Sequence, residues 1–299
     1  TITSATPIIN LTDSNNDSDY QIKNGNGDFN IKDVTNNTNR LTISSTGTVT
    51  VAQHMDVGAG IDVTGDLTST TDATFNGLTV GNGANSVTRN TVLGLNALDA
   101  AVTGGYNTAV GALTLTELTS GTRNVAIGSE TLDALTTGND NVGLGYAALS
   151  AVTTGSNNVA IGRQAAANVT TANSNVAVGF FALLNNTAAN NVAVGASALQ
   201  SNTSGAGNTS IGLSGLTANT TGDNNTAIGL SALAANTTGI SNVAVGVNTL
   251  DANTTASNNT AMGHEALTTC ETGTQNVSIG RSSMHNSTGS FNTAIGYHS

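Results

Sequence analysis

Between Asn90 and Gly296 the chain repeats one phrase, Asn, three residues, Gly, thirteen times. The closing glycines are Gly94, Gly111, Gly128, Gly145, Gly162, Gly179, Gly195, Gly212, Gly229, Gly246, Gly263, Gly280 and Gly296; every step is 17 residues except the two of 16 that lead into Gly195 and Gly296. A fixed period constrains the fold more than local propensity does, because each copy must adopt one conformation and meet its neighbours in one way. Seventeen residues are too few for helical hairpin repeats, which need roughly 33, or for leucine-rich repeats of about 20 to 29. The period suits one coil of a parallel β-solenoid, with coils stacked about 4.8 Å apart.

Reading the copies in columns assigns expectations to each position. Four residues before the Gly every copy has Asn, and in-register stacking predicts an amide ladder through Asn107, Asn124, Asn141, Asn158, Asn175, Asn191, Asn208, Asn225, Asn242, Asn259 and Asn276. The residue before the Gly is always apolar, as in Ile127 and Ile161, and the one before that is small, usually Ala. Strand periodicity places the two on opposite faces, so Val125 and Ile127 are expected inward and Ala126 outward against a neighbouring chain. Leu stands four after the Gly in ten of twelve copies and is expected on a second strand of the coil. Thr-Thr-Gly closes the coil, and Gly121, Gly138, Gly155, Gly205, Gly222, Gly239 and Gly273 are expected to supply positive φ there.

Composition separates this array from disorder. Charged residues are only 8% of the chain where about 25% is usual, which would suit a low-complexity segment. Disordered chains, however, combine high net charge density with few branched apolar residues, and here Val, Ile and Leu recur at fixed spacing. Residues 1–88 lie outside the period. In 1–53, "YQIKNGNGDFNIKDV" and "RLTISSTGTVTV" read as hairpins of a β-rich stem or adaptor, and 54–88 as a Gly-, Asp- and Thr-rich connecting stem before the array at 89–299. The predicted fold is therefore all-β, a parallel β-solenoid of thirteen coils of about 17 residues behind a β-rich stem, with the Ala column pointing to lateral association with other copies of the chain.

The residues that carry chemistry are sparse. A net charge of −11 argues against nucleic acid and anionic membrane surfaces as partners, since both need clustered Lys and Arg. The longest apolar run, "VAVGFFALL" at 176–184, is too short to insert across a bilayer. His264-Glu265 lacks the second His of a zinc-protease helix, and there is no calcium loop and no phosphate-cradling Gly-x-x-x-x-Gly-Lys, so no metal and no cofactor is expected. Asp99, Asp133 and Asp251 share a column but lie two or more coils apart, a poor basis for the paired carboxylates of a glycosidase, so no enzymatic activity is expected. The triplets Asn219–Thr221 and Asn236–Thr238 match a glycosylation acceptor by composition alone. Adjacent Thr residues in a turn do not make the outward-facing rows of an ice-binding surface. The first residues lack an initiating Met and a signal-peptide core, which reads as a piece of a longer polypeptide.

The phrases "NVAIG", "NTAIG" and "NVAVG" in an Ala- and Gly-rich chain resemble the head repeats of trimeric autotransporter adhesins, which form trimers of left-handed parallel β-rolls. Those repeats are shorter than 17 residues. The longer phrase "ALTTGSNNVAIG", with "DYQIKNGNGDFNIKD" and "DVGAGIDVTGDL" before it, is more similar to bacteriophage tail fibres and fibrous virion proteins. The resemblance implies a structural fibre at a virion surface, extracellular, whose partners are other copies of itself and a host cell-surface glycan or protein. A bacterial adhesin is the alternative, and a polysaccharide depolymerase the enzymatic one.

Overall fold

The computed structural model describes residues 8–11, 20–25, 28–51, 72–76, 78–83 and 87–299, and the chain divides into two compact units, Thr1–Thr68 and Ser69–Ser299. Every regular element among the described residues is a strand. The first unit holds one antiparallel sheet in sequence order, β1 (Ile8–Leu11), β2 (Tyr20–Gly25), β3 (Asp28–Asp33), β4 (Thr38–Ile43) and β5 (Val49–Val51), with a bulge in β4 at Arg40, opposite the step from Ile31 to Lys32.

The second unit begins antiparallel, β6 (Ala73–Phe75) on β7 (Leu78–Gly81) and β7 on β8 (Thr91–Gly94). From β8 onward all pairing is parallel and each strand lies beside the next copy of itself, through β9 (Thr108–Val110) to β20 (Thr293–Ile295). Registers run column on column, Val125 beside Val142 and Ile127 beside Leu144, so the period in sequence is the period in space. Thirteen stacked strands bound about twelve turns of a parallel β-solenoid. At about 4.8 Å per step the stack is roughly 58 Å long.

Each coil has one strand, not two. The Leu column lies in turn structure with positive φ: Leu132 at 52°, Leu149 at 55°, Leu199 at 50°. The residue two before it also has positive φ, as Glu130 does at 57°. Alternating φ sign bends the chain sharply while leaving its amides aimed along the stack. Glu130 N–H donates to Ala112 of the preceding coil and Leu132 N–H to Ala148 of the following one. A left-handed Leu costs roughly 1–2 kcal/mol. Full burial of its side chain stabilises by about 1.5–3 kcal/mol, enough to offset that.

The two faces of the strand are opposite to the sequence expectation. Ala126, Ala160, Ala177 and Ala193 have no solvent exposure and form the core with the Leu column, whereas Ile127 is 37% and Ile161 38% exposed. The reason is volume. A 17-residue coil has a narrow cross-section that Leu132 and its equivalents already occupy, so the strand can contribute only a methyl group to it. The interior even compensates locally. Where Thr131 replaces the usual Ala three after the Gly, the facing strand residue is Gly143, whose added Cβ would lie 2.5 Å from Thr131 Cγ2. Where Ser210 replaces the strand Ala, the facing residue is Gly215, whose Cβ would lie 2.5 Å from Ser210 Oγ.

The glycines also divide differently from the sequence reading. Positive φ belongs to the phrase-closing column, with Gly128 at 125° and Gly145 at 129°, where a Cβ would also sit 2.7 Å from the next coil's Gly oxygen. Gly121, Gly138, Gly155, Gly205, Gly222, Gly239 and Gly273 do not have positive φ. They are small because coils approach closely there: a Cβ on Gly138 would lie 2.1 Å from Gly155 O. Ala172 and Ala256 occupy this column in two coils, so it yields to a methyl group where the phrase-closing column does not.

This inversion sets opposite expectations for neighbouring residues. Ala160→Leu should destabilise the array by about 1–3 kcal/mol through overpacking. Ile161→Ser, one residue on and outside, should leave the fold of the single chain intact. Thermal unfolding followed by circular dichroism distinguishes the two, and equal losses would contradict the assigned faces.

Candidate functional site

Two surfaces of the coil could carry function, its interior ladders and its outer strand face. From Asn90 to Asn276 each Asn of the repeat is buried at the start of its strand, and its Oδ1 accepts the main-chain N–H of the next Asn in the stack, the last being the exposed Asn292. Asn107 Oδ1 takes Asn124 N at 3.0 Å and also Asn124 Nδ2 at 3.1 Å. Asn124 Nδ2 donates further to Gly138 O at 2.9 Å, tying the strand to its own closing turn. The main-chain contact repeats without a gap from Asn90 to Asn292. Asn107, Asn141, Asn158, Asn175, Asn191, Asn208, Asn225, Asn242, Asn259 and Asn276 occupy the same place as Asn124 and are all buried. These contacts satisfy groups that would otherwise be orphaned in the core.

A second ladder escaped the sequence reading. Seven residues after the Gly, Leu118, Leu135, Val152 and Val169 give way to Asn186, Asn202, Asn219, Asn236 and Asn253, all fully buried. Each Nδ2 donates to the preceding Oδ1, at 2.6 Å for Asn202 to Asn186 and 2.8 Å for Asn253 to Asn236. Five successive Asn in one column was the available signal, masked by the Asn-Thr richness of the turns. It also removes Asn219 and Asn236 as glycosylation acceptors in the folded chain, since their amides are consumed inside. The first Thr of the turn forms a third row, Thr136 Oγ1 donating to Thr153 O at 2.9 Å and Thr220 Oγ1 to Thr237 O at 3.0 Å.

The second ladder ends at Cys270, which stands where a sixth Asn would. Asn253 Oδ1 is left buried without a partner, and the Cys270 Sγ contacts Gly273 O at 3.3 Å. Burial pushes this thiol's pKa up, which makes it a poor nucleophile.

The outer face consists of the residues three and one before the Gly and one after it. Leu93, Leu144, Ile211, Ile228, Met262 and Ile279 are 36–43% exposed in the middle row. Leu95, Tyr146, Phe180, Leu213, Leu230 and Val247 are 37–52% exposed in the row after the Gly. In a chain of net charge −11, no Asp or Glu occupies any of these three rows. The cations on it are shielded by rings, Arg163 over Phe180 at 5.7 Å and Arg281 over Tyr297 at 6.0 Å. The middle row is thus a continuous line of half-exposed apolar side chains, flanked by Val and Thr on one side and by a mixed row on the other.

The acids stand in other columns, though Glu130 and Glu265 reach the outer row through Tyr146 and His264. Burial pushes the Asp133 carboxyl up, with Glu130 and Glu117 adding to the rise, and one of its oxygens is buried without a partner. Asp251 is raised by burial, with a smaller contribution from Glu265. Glu130 also holds the Tyr146 hydroxyl, raising its pKa. His264 pairs with its neighbour Glu265 at 3.5 Å, and His285 Nδ1 with Thr268 Oγ1 at 2.6 Å. Among the described residues no three His, Cys, Asp or Glu are placed to hold a metal ion. A cavity of about 500 Å³ lined by Met284, His285, Asn292 and His298 opens beside the last strand. No helix among the described residues is long and apolar enough to cross a membrane.

With the geometry in place, comparison with known proteins adds no relative: no family model, no curated protein and no solved structure matches the chain.

Two measurements test the polar contacts. Cys270→Asn should complete the second ladder, donating to Asn253 Oδ1 and to Gly273 O, and stabilise the neighbouring coils by about 1 kcal/mol. Slower amide hydrogen exchange across 253–276 would register the gain, and faster exchange would contradict the assignment. In the first unit, Asn36 and Arg40 bind the Asp33 carboxylate and hold its pKa down to about 2. A depressed carboxylate pKa stabilises the fold above the unfolded value and loses that contribution as pH falls through the folded one. The antiparallel sheet should therefore weaken between about pH 4 and pH 2. Asp33→Asn should remove that dependence, as read by a pH titration of unfolding.

Proposed function

We propose that this chain is a structural fibre protein of a phage virion, a homotrimeric spacer that also attaches to the host surface. The observation that carries this reading is the exposed strand face, whose middle row is apolar in every coil and whose three columns contain no acid. A rod whose long side is apolar gains by pairing that side with parallel copies, and each coil adds the same contact again. Three copies around an axis cover such a face while the charged turns stay in water, an arrangement compatible with the acids lying in other columns. The chain then serves as a stiff element about 58 Å long. Host contact follows from repetition: identical turns on three chains offer many weak sites whose joint avidity exceeds any one, toward a cell-surface glycan or protein. On this reading the work is mechanical, with no catalytic step and no cofactor, at an extracellular location.

Native mass measurement tests the association. Three times the chain mass is expected, and a stable single chain at micromolar concentration would overturn it. Ile161→Asp combined with Ile228→Asp should reduce the assembly to single chains with an unchanged circular dichroism spectrum, because both side chains lie outside the coil. Antibodies to the array should decorate fibres of the particle that encodes it, and undecorated particles would remove the virion role.

A further inference from the structure

The antiparallel sheet of the first unit has one apolar face and, among the described residues of that unit, no second layer. Cross-strand register places Ile9, Ile22, Ile31, Leu41 and Val51 in one row across all five strands. On the same side Leu11 pairs with Tyr20, and Phe29 with Ile43 and through it with Val49, while the exposed Asn24 across from Phe29 is polar. The opposite side carries Asn10, Gln21, Lys23, Asn30, Lys32, Thr42 and Thr50, with Ile8 its one large apolar residue. So clean an alternation belongs to a sheet with one face packed and one in water.

The face is nonetheless open. Ile9 is 46% exposed, Leu11 53%, Phe29 39%, Ile43 38% and Val49 57%. Together with the half-buried central row this amounts to on the order of 600 Å² of accessible apolar surface, close to the ~800 Å² per partner of a stable protein interface. A sheet with one apolar face needs another layer to bury it.

We infer that this face packs against the same face of another copy of the chain, an association surface separate from the one on the solenoid. Three observations select this occupant. The charges on the face are already closed on one another: Asp33, opposite Tyr20, is fully buried and bound by Asn36 and by Arg40, whose side chain is 32% exposed. The described strands β1 to β5 carry three basic residues, Lys23, Lys32 and Arg40, against two acids, Asp28 and Asp33, so they are nearly neutral in a chain of net charge −11 and oppose no like charge on self-contact. Two copies present equal areas and the same twist, which is what aligned sheet-on-sheet packing requires; the contact is two-fold, so three chains cannot all satisfy it among themselves and it also joins chains of different assemblies. Lys23 and Lys32 then remain in water on the outer sides.

The test replaces Phe29 by the photoreactive p-benzoylphenylalanine, aromatic for aromatic, in the full chain, with the same substitution at Lys32 on the polar side as control. Irradiation should double the chain mass on a denaturing gel, with the link mapped by peptide mass to residues 8–51 of a second copy, and the Lys32 variant should give no such link. Links only within one chain would mean that the chain's own residues cover the face. Links to residues 69–299 of another copy would mean that the sheet docks on the solenoid. No link at all would mean that the face is bare. Each of these three results overturns the inference, and placing benzophenone at Ile43 repeats the test should the Phe29 variant misfold. Because the link is read by its position, a solenoid that fails to associate leaves this result intact.

Discussion

The array rests on one acceptor used twice. In each coil the Oδ1 of the strand-leading Asn takes a main-chain N–H from the next coil and, in most coils, the side-chain N–H as well. Parallel pairing already supplies the hydrogen bonds of the three strand residues. What it leaves open is the entry to the strand, where the chain arrives from a tight turn with its amide facing inward. An unsatisfied group there would cost about 1–3 kcal/mol in every coil. Asn removes that cost while bracing its own turn, as Asn141 does through Gly155 O at 2.8 Å. Register follows, since a coil displaced by one residue would put a Val where the amide must be.

The second constraint is width. A coil of this length encloses so little space that the Leu and Ala columns fill it, and the larger Val and Ile are left outside. The usual equation of large apolar residues with the interior fails here for geometric reasons. Its failure is also what creates an apolar exterior, so one steric limit produces both the core and the surface that other molecules meet.

Much of this was legible beforehand. The period, a strand of "VAI" type and its parallel stacking follow from counting residues between Gly94 and Gly296, whereas the second strand expected at the Leu column is turn. The direction of each face was not, because alternation says that Ala126 and Ile127 point apart without saying which way. Nor was the conformation of Leu132, since a left-handed Leu is rare in isolation and is stabilised here only by coils above and below it. The role of Gly138 was misassigned for a related reason. Positive φ and close approach both select Gly, and only coordinates separate them.

The change inside the stack between Val169 and Asn186 has a further meaning. Coils look interchangeable by sequence, yet they belong to two dialects, one closing its turn on an aliphatic side chain and the other on an amide that needs an amide beside it. Recombination or slippage during replication could add or remove coils freely within either block and change only the length of the rod. A coil moved across the boundary would strand two amides in an apolar core. The array is thus extensible by units within a block but not across the boundary.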